Sequence, residues 1–302
     1  VCAGINHQTW YLKIGYKGKD LTNELLPTLE SHPVYSEQEK VRIDVLKRFG
    51  AFSTESNGHL SEYLAWYRKR PGEINDWISL DHWIHGESGG YLRVCTEGRS
   101  WFETDFPNWL KEPPNEFGPD KRGHEHGSYI IEGLETGRLY RGHFNVPNNG
   151  VISNLPDDCI IEAPGYVDRT GISMPVVGDL PMGCAAICQQ SVDVQRMGME
   201  AAVKGDETLL KQAMILDPLV GAVCSPPEAW QMADEMLVAA EQWLPQYKET
   251  IIAAKERLSN KDALLPTKEG YKGAARLKVK SVEELAEDKA AARENAAKAD
   301  KG

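Results

Sequence analysis

Residues 4–13 read GINHQTWYLK, and the order of side chains in this run sets the frame for the rest of the chain. Trp10, Tyr11, Leu12 and the following Ile14 are strand formers. Asn6 and His7 are not, so they belong at the edge or mouth of an opening strand. Working outward, residues 141–177 read RGHFNVPNNGVISNLPDDCIIEAPGYVDRTGISMPVV and alternate short strands with turn clusters at 148–150, 156–158 and 170–171. Between these β segments the pattern changes to a helical period. Residues 36–49, SEQEKVRIDVLKRF, place Val41, Val45, Leu46 and Phe49 at helical spacing, with a Ser36–Glu39 capping-box pattern in front and Gly50 behind. Residues 51–70 form a loop-rich segment crowded with polar groups and aromatics. Further helices are expected over 126–139, ending near Gly137, and over 181–203, 206–216, 226–244 and 246–258.

Composition limits what such a chain can do. Of 302 residues 41% are hydrophobic, enough for a real core, and the formal net charge of −11 is the wrong sign for coating nucleic acid. No apolar run approaches the roughly 18 residues of a membrane span. The cysteines at 2, 95, 159, 184, 188 and 224 form no CxxC pair and no disulfide framework, which fits a reducing cytoplasm. After Leu258 the sequence becomes poor in large apolar residues and rich in Ala, Lys and Glu. Residues 1–258 are therefore expected to form one domain, and 259–302 a polar tail that is disordered or partly helical.

Four constellations carry candidate chemistry. His7, with Asn6 beside it, has the donor type for a divalent metal, although a lone histidine serves equally as a hydrogen-bonded structural residue. Glu55, Ser56 and His59, with Glu62 and Tyr63 following, can supply a general base or can simply cap a surface loop. Arg68, Lys69 and Arg70 beside Trp66 and Tyr67 suit a carboxylate or sugar hydroxyls, and equally an exposed helix end. His124 and His126 look like a metal pair, but His126 reads better as the wall of a substrate pocket. The sequence has no GxSxG, HExxH or Walker pattern, and no GxGxxG after an opening strand.

Taken in order, GINHQTWYLK, RFGAFSTESNGHLSEYLAWYRKR, EHGSYIIEGL, VPNNGVISNLPDDCIIEAPGYVDRTG, VVGDLP and WLPQY resemble glycoside hydrolase family 4, most closely its α-galactosidase branch. The resemblance runs from Val1 to about Leu258. It implies an α+β substrate domain like the C-terminal domain of lactate and malate dehydrogenases, with mixed antiparallel sheets packed against helices. It also implies hydrolysis by an unusual route, using NAD and a divalent metal, typically Mn2+. A hydride leaves C3 of the sugar, a base removes the C2 proton, and the aglycone is eliminated from C1. Water then adds and the hydride returns.

By this resemblance His7 is a metal ligand and Asn6 its sugar-contacting neighbour. Glu55 and His59 fall where the family places its C2 base, and Arg68, Arg70, His126 and Asn149 are substrate-side residues. Asn148 lies in the turn that approaches the cofactor side of the cleft. The family's second metal ligand, a cysteine upstream of the opening strand, has no counterpart, because Cys2 is too near His7. The family's nucleotide-binding domain is not matched either, so the expectation is a substrate half that needs a separate N-terminal NAD-binding part, commonly within a homo-oligomer. An α-galactoside is the expected substrate, with an α-galacturonide as its closest competitor because Arg68, Lys69, Arg70 and Arg122 could receive a uronate. An orphaned sugar-binding half and a plain NAD-dependent dehydrogenase are the alternatives from other classes.

Overall fold

The hairpin made by the first residues lies inside a sheet and not at its margin. The computed structural model describes residues 1–70, 73–78 and 106–266 apart from 115, 117, 119–121 and 124. Strands β1 (Cys2–Ile5) and β2 (Gln8–Tyr11) pair antiparallel, with Ile5 opposite Gln8 and Asn6 and His7 as the turn. After a small ribbon of β3 (Gly15–Tyr16) and β4 (Lys19–Asp20), the edge strand β5 (Phe52–Ser53) pairs with β2. On the other side β7 (Ile160–Asp168) joins β1 to β6 (Tyr140–Pro147) and also carries β8 (Gly171–Ser173). The order is β5-β2-β1-β7-β6, and every pairing is antiparallel.

Strand alternation separates two chemistries. Ala3, Ile5, Trp10, Phe144, Ile161, Ala163 and Val167 point to one face and are buried. The register Gly4↔Thr9, Gly4↔Glu162 and His143↔Pro164 puts Cys2, Thr9, His143 and Glu162 on the other. Helix α8 (Met182–Lys204) covers the apolar face with Cys184, Ala185, Ile187, Cys188 and Val192. Fully buried Trp10 donates its indole N–H to Cys188 Sγ at 3.5 Å, and that thiol donates to the Gln8 carbonyl at 3.3 Å. Burial pushes the thiols of Cys184 and Cys188 up to about 12 and about 11, so this pair packs and does not react.

Most of the longer helices form close to where the periodicity places them, although the one expected over 226–244 ends at Ala239 and the run from Ser36 breaks. The run from Ser36 is not one helix capped by Ser36 and Glu39. It divides into α2 (Tyr35–Gln38) and α3 (Lys40–Phe49), after α1 (Leu25–Ser31). The cap of α3 comes from a distant residue, since Asn57 Oδ1 accepts from the backbone N–H of Val41 at 2.8 Å and of Arg42 at 3.3 Å. Asn57 itself opens α4 (Asn57–Tyr63), a helix inside the stretch expected to be loop. Ser56 caps α4 by accepting from His59 N–H at 3.3 Å. Short turns α5 (Glu73–Trp77) and α6 (Phe106–Trp109) precede α7 (Gly127–Thr136), which ends at Gly137 with φ 78°.

The C-terminal third is helical, with α9 (Glu207–Leu216), α10 (Pro218–Val223), α11 (Pro226–Ala239) and α12 (Lys248–Ser259). Fixed contacts run past 258, because Leu265 N–H donates to Gln231 Oε1 at 2.8 Å. The remainder of the expected tail, residues 267–302, lies outside the described residues, as do His124 and Cys95. Among the described residues no helix is long and apolar enough to cross a membrane.

Candidate active site

The β1–β2 turn is tight for a steric reason. A Cβ on Gly4 would lie 2.1 Å from the Gln8 carbonyl oxygen, so only glycine lets the two strands cross this closely. The turn pushes His7 outward, and its side chain is 66% exposed. Its Nδ1 is held 2.8 Å from Glu55 Oε2, while Nε2 has no partner among the described residues.

Glu55 reaches that position because the chain after β5 is tied back to β2. Thr54 N–H donates to the Thr9 carbonyl at 3.0 Å, and the Thr9 and Thr54 hydroxyls share a hydrogen bond. The second carboxylate oxygen accepts from Ser56 N–H at 2.8 Å and lies 3.3 Å from His59 Nδ1. Glu55 thus bridges two imidazoles, using both oxygens. Burial alone would raise its carboxyl. The hydrogen bonds from His59 and Ser56, with the nearby imidazole charges, outweigh burial and bring it down to about 2. The same Glu55 hydrogen bond raises His59 above its ordinary value, against burial.

Arg68 is placed differently from its expected role. Its side chain is 1% exposed and lies under α4, donating to Ser61 Oγ at 2.9 Å and 2.7 Å and to the Gly58 carbonyl at 3.2 Å. A guanidinium so enclosed supports the helix that carries His59 and has no surface for a sugar. Arg70 is exposed and lies 3.8 Å from Glu73. Arg122 pairs with Glu132 and stacks on Tyr129.

Asn148 is fully buried, and its amide is spent on its own loop. It donates to the carbonyls of Ile152, Leu155 and Pro156 and accepts from Ile152 N–H at 2.7 Å. That amide fixes the turn and cannot face a cofactor. Asn149, exposed at φ 44°, stands with Asn6 at the same end of the sheet, since Pro147 pairs with Ile160 and Gly4 with Glu162. His126 is hydrogen-bonded to Tyr140 at the opposite end of β6 and makes no contact with His7 or Glu55.

Glu162 also belongs to this corner, outside the constellations that the sequence pattern marks. It stands on β7 opposite Gly4, half-buried, and His7, Glu55 and His126 all act on its charge. A lone acid inside the apolar run CIIEAPGYV was the available signal, because an acid in a strand interior needs a reason to be there.

Comparison with known proteins agrees with this picture. Residues 2–220 match the Family 4 glycosyl hydrolase C-terminal domain. An alpha-galactosidase of Rhizobium meliloti (strain 1021) is 58% identical over 98% of this chain and 60% of its own length. An alpha-galactosidase of Bacillus subtilis (strain 168) is 32% identical over 82% of this chain and 55% of its own length. The chain therefore spans somewhat more than half of the curated relatives it matches. Among solved structures, the 6-phospho-beta glucosidase of Thermotoga maritima with manganese, NAD+ and glucose-6-phosphate superposes with a TM-score of 0.53 at 20% identity, covering 80% of this chain and 52% of that one, a likeness of fold. The α+β architecture and the family match agree: the chain belongs to glycosyl hydrolase family 4, with residues 2–220 matching the C-terminal domain of that family.

Proposed function

We propose that the holoenzyme containing this chain hydrolyses α-galactosides by oxidation at C3, proton removal at C2 and elimination of the aglycone. Holoenzyme here means these residues together with the part that binds NAD. The carrying observation is His7, whose Nδ1 is fixed by Glu55 and whose Nε2 is open at an exposed turn. An imidazole oriented by a carboxylate through its other nitrogen is the arrangement of a metal-bound histidine. The donor chemistry fits one Mn2+ ligand. Among the described residues no group of three His, Cys, Asp or Glu could hold a metal ion, and His7 would be one ligand among donors drawn from elsewhere in the holoenzyme or from the sugar. When bound, NAD supplies the hydride acceptor and Mn2+ polarises the sugar oxygens.

The chain's own residues then divide the remaining work. His7 Nε2 would hold the metal, with Glu55 orienting the imidazole through Nδ1. Because both Glu55 oxygens are engaged, the free basic position of the Glu55–His59 pair is His59 Nε2. His59 accepts the C2 proton, and Glu55 stabilises the imidazolium that results. Arg68 keeps α4, and hence His59, in place. Asn6 and Asn149 offer amides to sugar hydroxyls, with Arg70 and His126 further out. An α-galacturonide loses support because Arg68 and Arg122 are engaged elsewhere. A plain dehydrogenase would have no use for a base pair beside the metal ligand.

Location in the cytoplasm and self-association belong to the same proposal. Free cysteines support the first, and exposed Met182 and Trp243 the second. The test is release of galactose from 4-nitrophenyl α-galactoside by the holoenzyme with and without Mn2+ and NAD. Turnover should require both, and His7→Ala should abolish it without lowering the melting temperature. Full activity in that variant would overturn the assignment.

A further inference from the structure

Elimination at C1 leaves the aglycone oxygen in need of a proton, and the residues assigned above are committed to other tasks. Glu162 is not. It lies opposite Gly4, close along the strand to the turn that carries His7, and Gly4 interposes no side chain between it and Thr9. No described residue hydrogen-bonds or ion-pairs with its carboxyl. Its oxygens are nevertheless not sealed, since Gln8 Oε1 is the one fully enclosed, unpartnered side-chain polar atom among the described residues. The titratable groups acting on Glu162 come from separate elements: His7 on the hairpin turn, His126 before α7, and Glu55 after β5. Glu162 in turn acts on Cys2 of β1, which is 3.1 Å from His143 Nε2 on β6. Burial is the largest influence and raises the carboxyl; Glu55 adds to it, and His7 and His126 oppose it. An accessible, unpaired carboxyl beside the turn that carries His7, with burial favouring its protonated form, is placed to hand on a proton.

We propose that Glu162 is the proton donor to the departing aglycone oxygen, a role that rests on the α-galactosidase reading above. As the C1–O bond breaks, its electron pair stays on the aglycone oxygen. That oxygen takes the Glu162 proton, giving a free alcohol and a carboxylate. When water later adds its oxygen to C1, the proton it sheds returns to Glu162.

The experiment compares Glu162→Gln and Glu162→Asp with the unaltered holoenzyme on 4-nitrophenyl and methyl α-galactosides, and follows C2 hydrogen exchange in D2O. A nitrophenolate leaves without help and methoxide does not. Glu162→Gln should lose under about 10-fold on the first substrate and about 100-fold or more on the second, with C2 exchange retained. Glu162→Asp, still an acid, should recover part of the loss on the methyl glycoside. Equal losses on both substrates, or no advantage of Asp over Gln, would overturn the role. Absence of C2 exchange in the unaltered enzyme would instead remove the underlying reaction and this role with it.

Discussion

Two clusters of ionisable side chains in this chain end in opposite states. In the C-terminal helices, Lys211 of α9 pairs with Asp234 of α11 at 2.8 Å and with Glu207 at 2.6 Å. Arg257 of α12 closes the set on Asp234 at 2.7 Å and on Glu207 at 2.6 Å. Lys211 and Asp234 are both buried, and each charge meets an opposite one. At the hairpin corner, by contrast, His7 is two-thirds exposed with Nε2 open, and Glu162 has no partner among the described residues. A cluster whose buried charges are all paired fixes how helices meet. A cluster with valences left over is poised to bind. The difference separates residues whose loss should unfold the chain from residues whose loss should only silence it.

Substitutions can break that distinction. The largest contrast is expected from His7→Ala, which should remove all Mn2+-dependent turnover and leave thermal stability unchanged. Next is Asp234→Ala, which strips Lys211 of one buried partner. It should cost about 3 kcal/mol of unfolding free energy, read by urea denaturation, with the catalytic constants of the surviving folded enzyme unchanged. A smaller effect follows from Glu55→Gln, which keeps shape and removes the charge that orients His7. Mn2+ affinity, read by titration with electron paramagnetic resonance, should weaken about 10- to 100-fold.

The smallest expected effect is on pH stability. Burial would raise the Asp234 carboxyl, but Arg257 and Lys211 outweigh it and hold it below its ordinary value. A carboxyl depressed in the folded state contributes stability above its unfolded pKa, roughly 3.9, and loses it as pH falls through the folded value. Acid denaturation of the native chain should therefore steepen below about pH 4, and Asp234→Asn should flatten that slope.

The parts of the molecule legible in sequence are those set by local pattern. The strands of residues 140–173 and the helices ending at Gly137 and Lys204 follow from alternation, turn residues and helical spacing, whereas the single opening strand expected around Asn6 and His7 is a hairpin with those residues as its turn. His7 and the Glu55–His59 pair were visible as residue types, but their union was not. It depends on a hydrogen bond from Thr54 to Thr9, across 45 residues of chain. The cap of α3 failed for the same reason, since Ser36 and Glu39 match a local pattern while the acceptor in the fold is Asn57. Arg68 and Asn148 show the converse. Both look like binding residues by type, and both are buried and consumed by neighbouring backbone or hydroxyl groups. Polar side chains cannot be sorted into binding and scaffold roles until their burial is known.

The open corner at His7, Glu55 and His59 is proposed to serve a reaction in which the C2 hydrogen of the sugar is removed and replaced. The most direct measurement is turnover of an α-galactoside by the holoenzyme in D2O, with the released galactose analysed by NMR. Deuterium at C2 of the product is the expected result. Galactose released at full rate with its C2 hydrogen intact would contradict it.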